Sequence, residues 1–326
     1  MKVDEMEAFV EVVRSESLSH AADVLGLTQP AVTRRLQHFE EQLGVELLDR
    51  QTKPLRPTEV GRAIFEQCRT IVREVDTLRA MLTPDAPLAG HLRLGVAQTV
   101  ADIAMLGALL QLKDIHPELQ LRVSSGWGSL LMQRVEDGEL DAVAVALPAH
   151  RTFPAKLVGV PLGALKLAIV ARRGTVQKRT YTLAECQAYG WVLNPDGCGF
   201  RAALQHALGS QGHVLKLNLE TLGTELQLGL VANGLGLGIV PAPLLNVSRH
   251  VADLDTIQIS DFRPEIDIWM VHSRQLGRFA TAISLLSSSI VDSFEAASLT
   301  GVRFAPSFIR SGSSTTKSRT QLGTLE

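Results

Sequence analysis

The stretch Ser17–Arg50, SLSHAADVLGLTQPAVTRRLQHFEEQLGVELLDR, decides how the rest of the chain is read. Its first part predicts a short helix from near Ser19 to Gly26. Ser19 can accept a backbone N–H of the first turn, Ala21, Ala22 and Leu25 favour helix, and Gly26 tolerates the left-handed conformation that ends one. Leu27 and Thr28 then make a tight turn. Thr28 is placed to cap a second helix, with Pro30 in the first turn, where its missing N–H does no harm. Val32, Leu36, Phe39 and Leu43 recur at helical spacing and give this helix a buried stripe. The face left over presents Gln29, Thr33 and Arg34 at the N-terminal end, followed by Arg35 and Gln37.

Two short helices joined by a turn, the second opening with Gln, Thr and Arg, make a helix-turn-helix. A helix fits the DNA major groove, its N-terminal dipole favours phosphate, and Gln and Arg can form paired hydrogen bonds with base edges. An ordinary helical hairpin with solvated polar residues has the same local pattern, so these residues alone leave both readings open. The longer match separates them. Leu18, Ser19, Ala21, Ala22, Leu25, Gln29, Pro30, Ala31, Val32, Thr33, Leu36, Glu40, Leu43, Gly44, Leu47 and Arg50 resemble, with fixed internal spacing, the N-terminal pattern of the LysR-type transcriptional regulators. Two positions depart conservatively: Leu48 stands where the family usually has Phe, and Thr33 where Ser is commoner.

Upstream, Asp4–Ser15 reads as a helix whose Met6, Phe9, Val10 and Val13 cover the other two. Downstream, residues 45–57 read as a small two-stranded wing. The resemblance implies that the wing lies on the DNA backbone and minor groove, with Arg50, Lys53 and Arg56 as contacts. Residues 1–82 hold 11 Lys and Arg against 14 Asp and Glu, so DNA affinity must rest on where the cations sit rather than on their sum.

Thr58 caps a long helix predicted to end near Leu82. Ile64, Cys68, Ile71, Val75, Leu78 and Leu82 are spaced 4, 3, 4, 3, 4, a seven-residue repeat suited to pairing with another helix. The family resemblance implies dimerisation through residues 59–82; packing on the C-terminal part of the same chain is the competing reading. Cys68 reads as a small apolar residue of that seam.

Pro84–Gly90 (PDAPLAG) is a linker by composition, and beyond it strand and helix signals alternate. Strands are expected at HLRLGVA, LQLRVSS, LDAVAVAL, GWVLNP, HVLKLNLE, GLGIVP and EIDIWMVH. Helices are expected at Val100–Ile115, Ser129–Asp137, Phe200–Leu208 and Thr224–Asn233. LVGVPLGALKLAIVA reads as a segment crossing between two halves. The fold class is therefore α/β: an all-α winged helix-turn-helix (1–58), a linker helix and hinge (59–90), and a two-lobed α/β domain (91–295). The resemblance implies an effector domain similar to periplasmic solute-binding proteins. Residues 296–326, rich in Ser, Thr and Gly, read as a disordered tail.

In open α/β sheets ligands sit beyond the C-terminal strand ends, near helix N-termini. That rule points to Gln98 and Thr99 and to the stretches 124–127, 194–198 and 221–224, with Ser124, Trp127, Asn194, Cys198, Thr221 and Thr224 foremost, as effector contacts or as simple helix caps. Hydroxyls and amides at several helix starts favour an anionic small molecule. Trp127 could stack on a ring or only wall the cleft. Cys198, between two glycines at a helix start, is the cysteine with a sequence context for redox sensing, although Cys186 has no evident geometry as its partner.

Enzymatic activity finds no support. No H-x-x-x-H, C-x-x-C or G-x-S-x-G is present, and His206 lies more than two helical turns from Cys198. The glycines of NGLGLGIVP follow a helix and enter a strand, the reverse of a nucleotide loop. Three cysteines and no membrane-length apolar run among 326 residues fit a cytoplasmic protein without metal or cofactor. The expected partners are double-stranded DNA with an inverted-repeat operator, a small-molecule effector, further copies of the chain (dimer or tetramer) and RNA polymerase. A cytoplasmic small-molecule binding protein with an N-terminal association domain is the alternative.

Overall fold

The computed structural model describes residues 1–82, 88–148, 152–177, 179–263, 265–297 and 302–303. Residues 84–87 of the expected linker 84–90 and nearly all of the expected tail lie outside them, and Gly90 already opens a strand. Three helices open the chain: α1 (Val3–Ser15), α2 (Leu18–Leu25) and α3 (Gln29–Leu43). Ser17, not Ser19, caps α2, its side chain accepting the N–H of His20. Ser17 is extended (φ −155°), the conformation a cap requires, whereas Ser19 is already inside the helix. Gly26 ends α2 at φ +64°. Thr28 occupies the cap position of α3 without a side-chain cap bond.

The stripe of α3 is buried as its spacing demands: Val32, Leu36 and Phe39 are closed off, and Leu43 packs at the edge. Each such side chain contributes roughly 1.5–3 kcal/mol. Phe9 of α1 meets Phe39 with centroids 5.9 Å apart and Phe65 edge-on at 6.4 Å. The wing is minimal, β1 (Leu48–Asp49) antiparallel to β2 (Arg56–Pro57).

Helix α4 (Glu59–Leu82) is capped by Thr58, whose hydroxyl accepts the N–H of Gly61 at 2.9 Å. Its repeat divides. Phe65 and Cys68 are buried in the N-terminal core, with Ile64 and Val72 packed on it, whereas Ile71, Leu78 and Leu82 are exposed. The expectation of one continuous partner-facing seam is therefore corrected, because its first half is covered by α1 and its neighbours.

The remaining chain builds a mixed sheet. β3 (Gly90–Val96) lies parallel between β4 (Leu119–Ser125) and the fully buried β5 (Ala142–Leu147). Between β3 and β4 run α5 (Gln98–Val100), a π segment (Ala101–Met105) and α6 (Leu106–Ile115), and α7 (Gly128–Glu136) precedes β5. β6 (Leu157–Arg172), 16 residues long, is the crossing segment.

The second lobe holds β7 (Thr180–Tyr181), α8 (Leu183–Cys186), β8 (Trp191–Leu193) and α9 (Gly199–Ser210). It continues with β9 (Leu217–Glu220), α10 (Thr224–Ala232), β10 (Gly238–Pro241), α11 (Ala242–Val247) and β11 (Leu254–Ile259). β12 (Glu265–Ser273) returns to pair with both β5 and β6, and α12 (Ala280–Ala297) closes the first lobe. A last strand, β13 (Val302–Arg303), pairs with β6, so these two residues, like Ala296 and Ala297 at the end of α12, depart from the tail expectation. The sheet order is β4-β3-β5-β12-β6-β11-β7, with β10 also on β6. Sequence patterning misses β7, α8, α11, β11 and α12. The first three are too short to show a period, and the serines of α12 mask its apolar stripe of Ile283, Leu286, Ile290 and Phe294.

Candidate functional site

Two surfaces emerge. The first is the N-terminal end of α3 with the wing. Gln29, Pro30 and Arg34 are exposed and Thr33 is half-buried. The side-chain carbonyl of Gln29 accepts the Ser19 hydroxyl at 3.0 Å, which orients its amide, and the Thr33 hydroxyl donates to the Gln29 backbone carbonyl at 3.0 Å. Arg34, Lys53 and Arg56 form no ion pair among the described residues.

Two of the proposed DNA contacts are engaged elsewhere. Arg50 donates to Glu40 at 2.8 Å, and Glu40, buried, also accepts the N–H of Leu47 at 2.8 Å. Arg50 thus neutralises a carboxylate that ties α3 to the wing, while its own side chain stays 56% exposed. Arg35 reaches Asp4 at 3.6 Å, a looser pair.

The second surface is a cleft of about 1060 Å³ where the lobes meet. Of the residues taken from the strand-end rule, Gln98, Trp127 and Thr224 line it. Thr99, Asn194, Cys198 and Thr221 are buried and do not, and Ser124 donates instead to the Leu94 carbonyl beside Arg134. Around Cys198 the second lobe packs closely on the first: a Cβ placed on Gly197 would lie 3.0 Å from that of Trp127, and one on Gly199 2.5 Å from the Ala146 carbonyl. Trp127 therefore lines the cleft with the loop at Gly197 packed against it.

Burial also pushes the Cys198 thiol up, outweighing the nearby backbone N–H groups that lower it. Cys68 and Cys186 are raised to about 11 and about 12 by the same cause. All three thiols are free and buried, so the low-pKa context expected for a redox role at Cys198 is absent.

Leu222, within the expected stretch 221–224, lines the cleft too, and so do Asp102, Glu225, Leu226, Leu244, Val247 and Arg249, which were not anticipated. Asp102 had a signal, since it stands four residues after Gln98 and accepts its amide at 2.7 Å. Arg249 had none, because it follows α11 and reaches the cleft only through the fold. Arg249 lies 3.6 Å from Glu225. The cleft lining thus sets two carboxylates, Asp102 and Glu225, against one guanidinium, with Glu225 in the first turn of α10.

Residues 3–62 match the family model for the bacterial regulatory helix-turn-helix protein, lysR family, and residues 85–286 match the LysR substrate binding domain. The chain belongs to the LysR family. It is a transcriptional regulator with a DNA-binding helix-turn-helix and an effector-binding domain, and that family consists of regulators rather than enzymes. The uncharacterized HTH-type transcriptional regulator YeiE of Escherichia coli (strain K12) is 25% identical over 272 residues, covering 83% of this chain and 91% of its own. The RuBisCO operon transcriptional regulator of Allochromatium vinosum is 25% identical over 272 residues, 83% of this chain and 89% of its own. In fold, this LysR-family chain is similar to a full-length OxyR variant from Pseudomonas aeruginosa (TM-score 0.74, 21% identity, 89% of this chain and 94% of that one). It is also similar to full-length CbnR in complex with its target DNA (TM-score 0.51, 20% identity, 90% and 100%). No helix among the described residues is long and apolar enough to cross a membrane.

Proposed function

We propose that the chain acts in the cytoplasm as a sequence-specific regulator that lays the start of α3 in the major groove of an inverted-repeat operator. Gln29, Pro30, Thr33 and Arg34 contact bases. Arg50, Lys53 and Arg56, with Arg35 beside them, hold the DNA backbone. The observation that carries this reading is the exposed, ion-pair-free group Arg34, Lys53 and Arg56 on an N-terminal region otherwise rich in carboxylates. Copies associate through the exposed half of α4, at Ile71, Leu78 and Leu82, as a dimer or tetramer that also meets RNA polymerase.

A small molecule in the cleft shifts the equilibrium between arrangements by its differential affinity. Its class follows from the lining: neutral or cationic, with an apolar body against Trp127, Leu222 and Leu226. The mechanism is binding alone and requires no cofactor or metal.

The test is a salt titration of binding to the DNA upstream of its own gene, with a scrambled control. Arg34→Ala is expected to cost about 1–3 kcal/mol and relax specificity at one base, whereas Lys53→Ala weakens all sequences and lowers the salt slope by about one. Equal affinity of the unaltered protein for operator and scrambled DNA across the titration would overturn the proposal.

A further inference from the structure

Between α1, α4 and β3 lies a cavity of about 330 Å³ whose lining includes six guanidiniums: Arg14, Arg69, Arg73, Arg79, Arg93 and Arg278. Four carboxylates share the lining, and each is already held. Glu11 accepts both contacts from Arg93, at 2.6 and 2.8 Å. Asp141 accepts Arg73 at 3.2 Å and the Arg93 backbone N–H at 2.9 Å. Glu7 and Asp76 lie 3.1 and 3.5 Å from Arg79. Arg69 donates through both terminal nitrogens to the Glu136 carbonyl and reaches Glu66 at 3.3 Å.

Two cations remain. Arg278 is engaged by the ring of Phe279, 5.2 Å away, and by no carboxylate among the described residues. Arg14 has no ion pair there either, and its Nε is closed off from solvent without a hydrogen-bond partner. Burial pulls the Arg14 guanidinium down to about 10, with Arg93 and Arg73 adding to the fall and the nearby Asp141 and Glu11 carboxylates opposing it, so it stays charged at neutral pH. A desolvated cation with an unsatisfied donor is a state that an anion relieves.

We propose that this cavity binds a small oxyanion, held by Arg14 and Arg278 and separate from the cleft between the lobes. Guanidinium forks match the oxygen geometry of sulfate, phosphate and carboxylate, and the volume admits one such ion with several waters. The walls come from both ends of the chain's architecture, α1 and α4 on one side, β3 and residues 276–279 on the other. The ion therefore binds only while the N-terminal helices are docked on the α/β part, and it stabilises that docking in proportion to its concentration over its dissociation constant.

The experiment is calorimetric titration of the full chain, without DNA, in a buffer of low anion content. Sodium sulfate, phosphate and succinate are compared with sodium chloride at equal ionic strength. Saturable binding of at least one oxyanion is expected, weakened tenfold or more by Arg14→Gln and by Arg278→Gln and unchanged by Arg249→Gln at the cleft. A preference for sulfate and phosphate over succinate assigns a tetrahedral ion, and the reverse assigns a carboxylate. In the low-anion buffer Arg14→Gln is expected to keep or raise the melting temperature, because it removes a buried cation whose Nε has no hydrogen-bond partner. No saturable binding of any of the three, or equal affinity in all variants, overturns the proposal, whatever the outcome of the DNA titration.

Discussion

Along α4 one repeat meets two environments. Ile64 and Cys68, with Phe65 beside them, face the core built by α1 and α3, while Ile71, Leu78 and Leu82, in the same register, face solvent. Periodicity states which residues share a face. It does not state what covers that face, because cover depends on elements far away in sequence. The same helix adds a third surface: Arg69 and Arg73, between the two apolar rows, reach Glu136, Asp141 and Ser273 of the α/β part.

The largest way to break this comparison is Phe65→Ala. Removing a buried ring that packs edge-on against Phe9 should cost about 3–5 kcal/mol in urea unfolding of the N-terminal region. A loss below about 1 kcal/mol would mean that the first half of α4 is not core. Next comes Gly138→Ala. Gly138 has φ +75°, and a Cβ there would lie 1.8 Å from Arg69 Nη1, so a loss of about 1–3 kcal/mol is expected, read as earlier thermal unfolding.

Leu78→Ala should leave the protomer within about 0.5 kcal/mol while shifting sedimentation toward monomer, since an exposed leucine matters only to a partner. If the protomer itself were destabilised, the second half of α4 would resemble the first. The smallest effect concerns acid. Burial holds His272 below its ordinary 6.5, so the folded state binds fewer protons than the unfolded chain as pH falls past that value. Stability present above pH 6.5 declines as pH drops toward the folded-state pKa, and His272→Gln should flatten that decline in a series of melting curves.

What was legible from sequence follows the same division. Local signals placed α2, the turn and α3 to within a residue or two, because caps, glycine and a 3.6-residue stripe act within one or two turns. The strands β3, β4 and β5 were legible because their apolar runs are bounded by turns. The cleft was legible only in part. Gln98, Trp127 and Thr224 sit at strand ends and could be read off, but Thr99, Asn194, Cys198 and Thr221 share that local signature and are buried, which depends on packing from elsewhere in the chain. The pairing of Arg50 with Glu40 was equally hidden: ten residues of sequence separation carry no geometry until α3 and the wing meet.

The notch at Gly138 bears on how modular this architecture is. Chimaeras that graft the helix-turn-helix and α4 of one regulator onto the sheet of another treat the two as independent parts. Here the arginine of one part enters a space that exists only because the other part has no side chain at that point. Arg69 and Gly138 therefore travel together as one interchangeable unit, and a graft that carries the arginine onto a host with any larger residue opposite begins with misaligned halves.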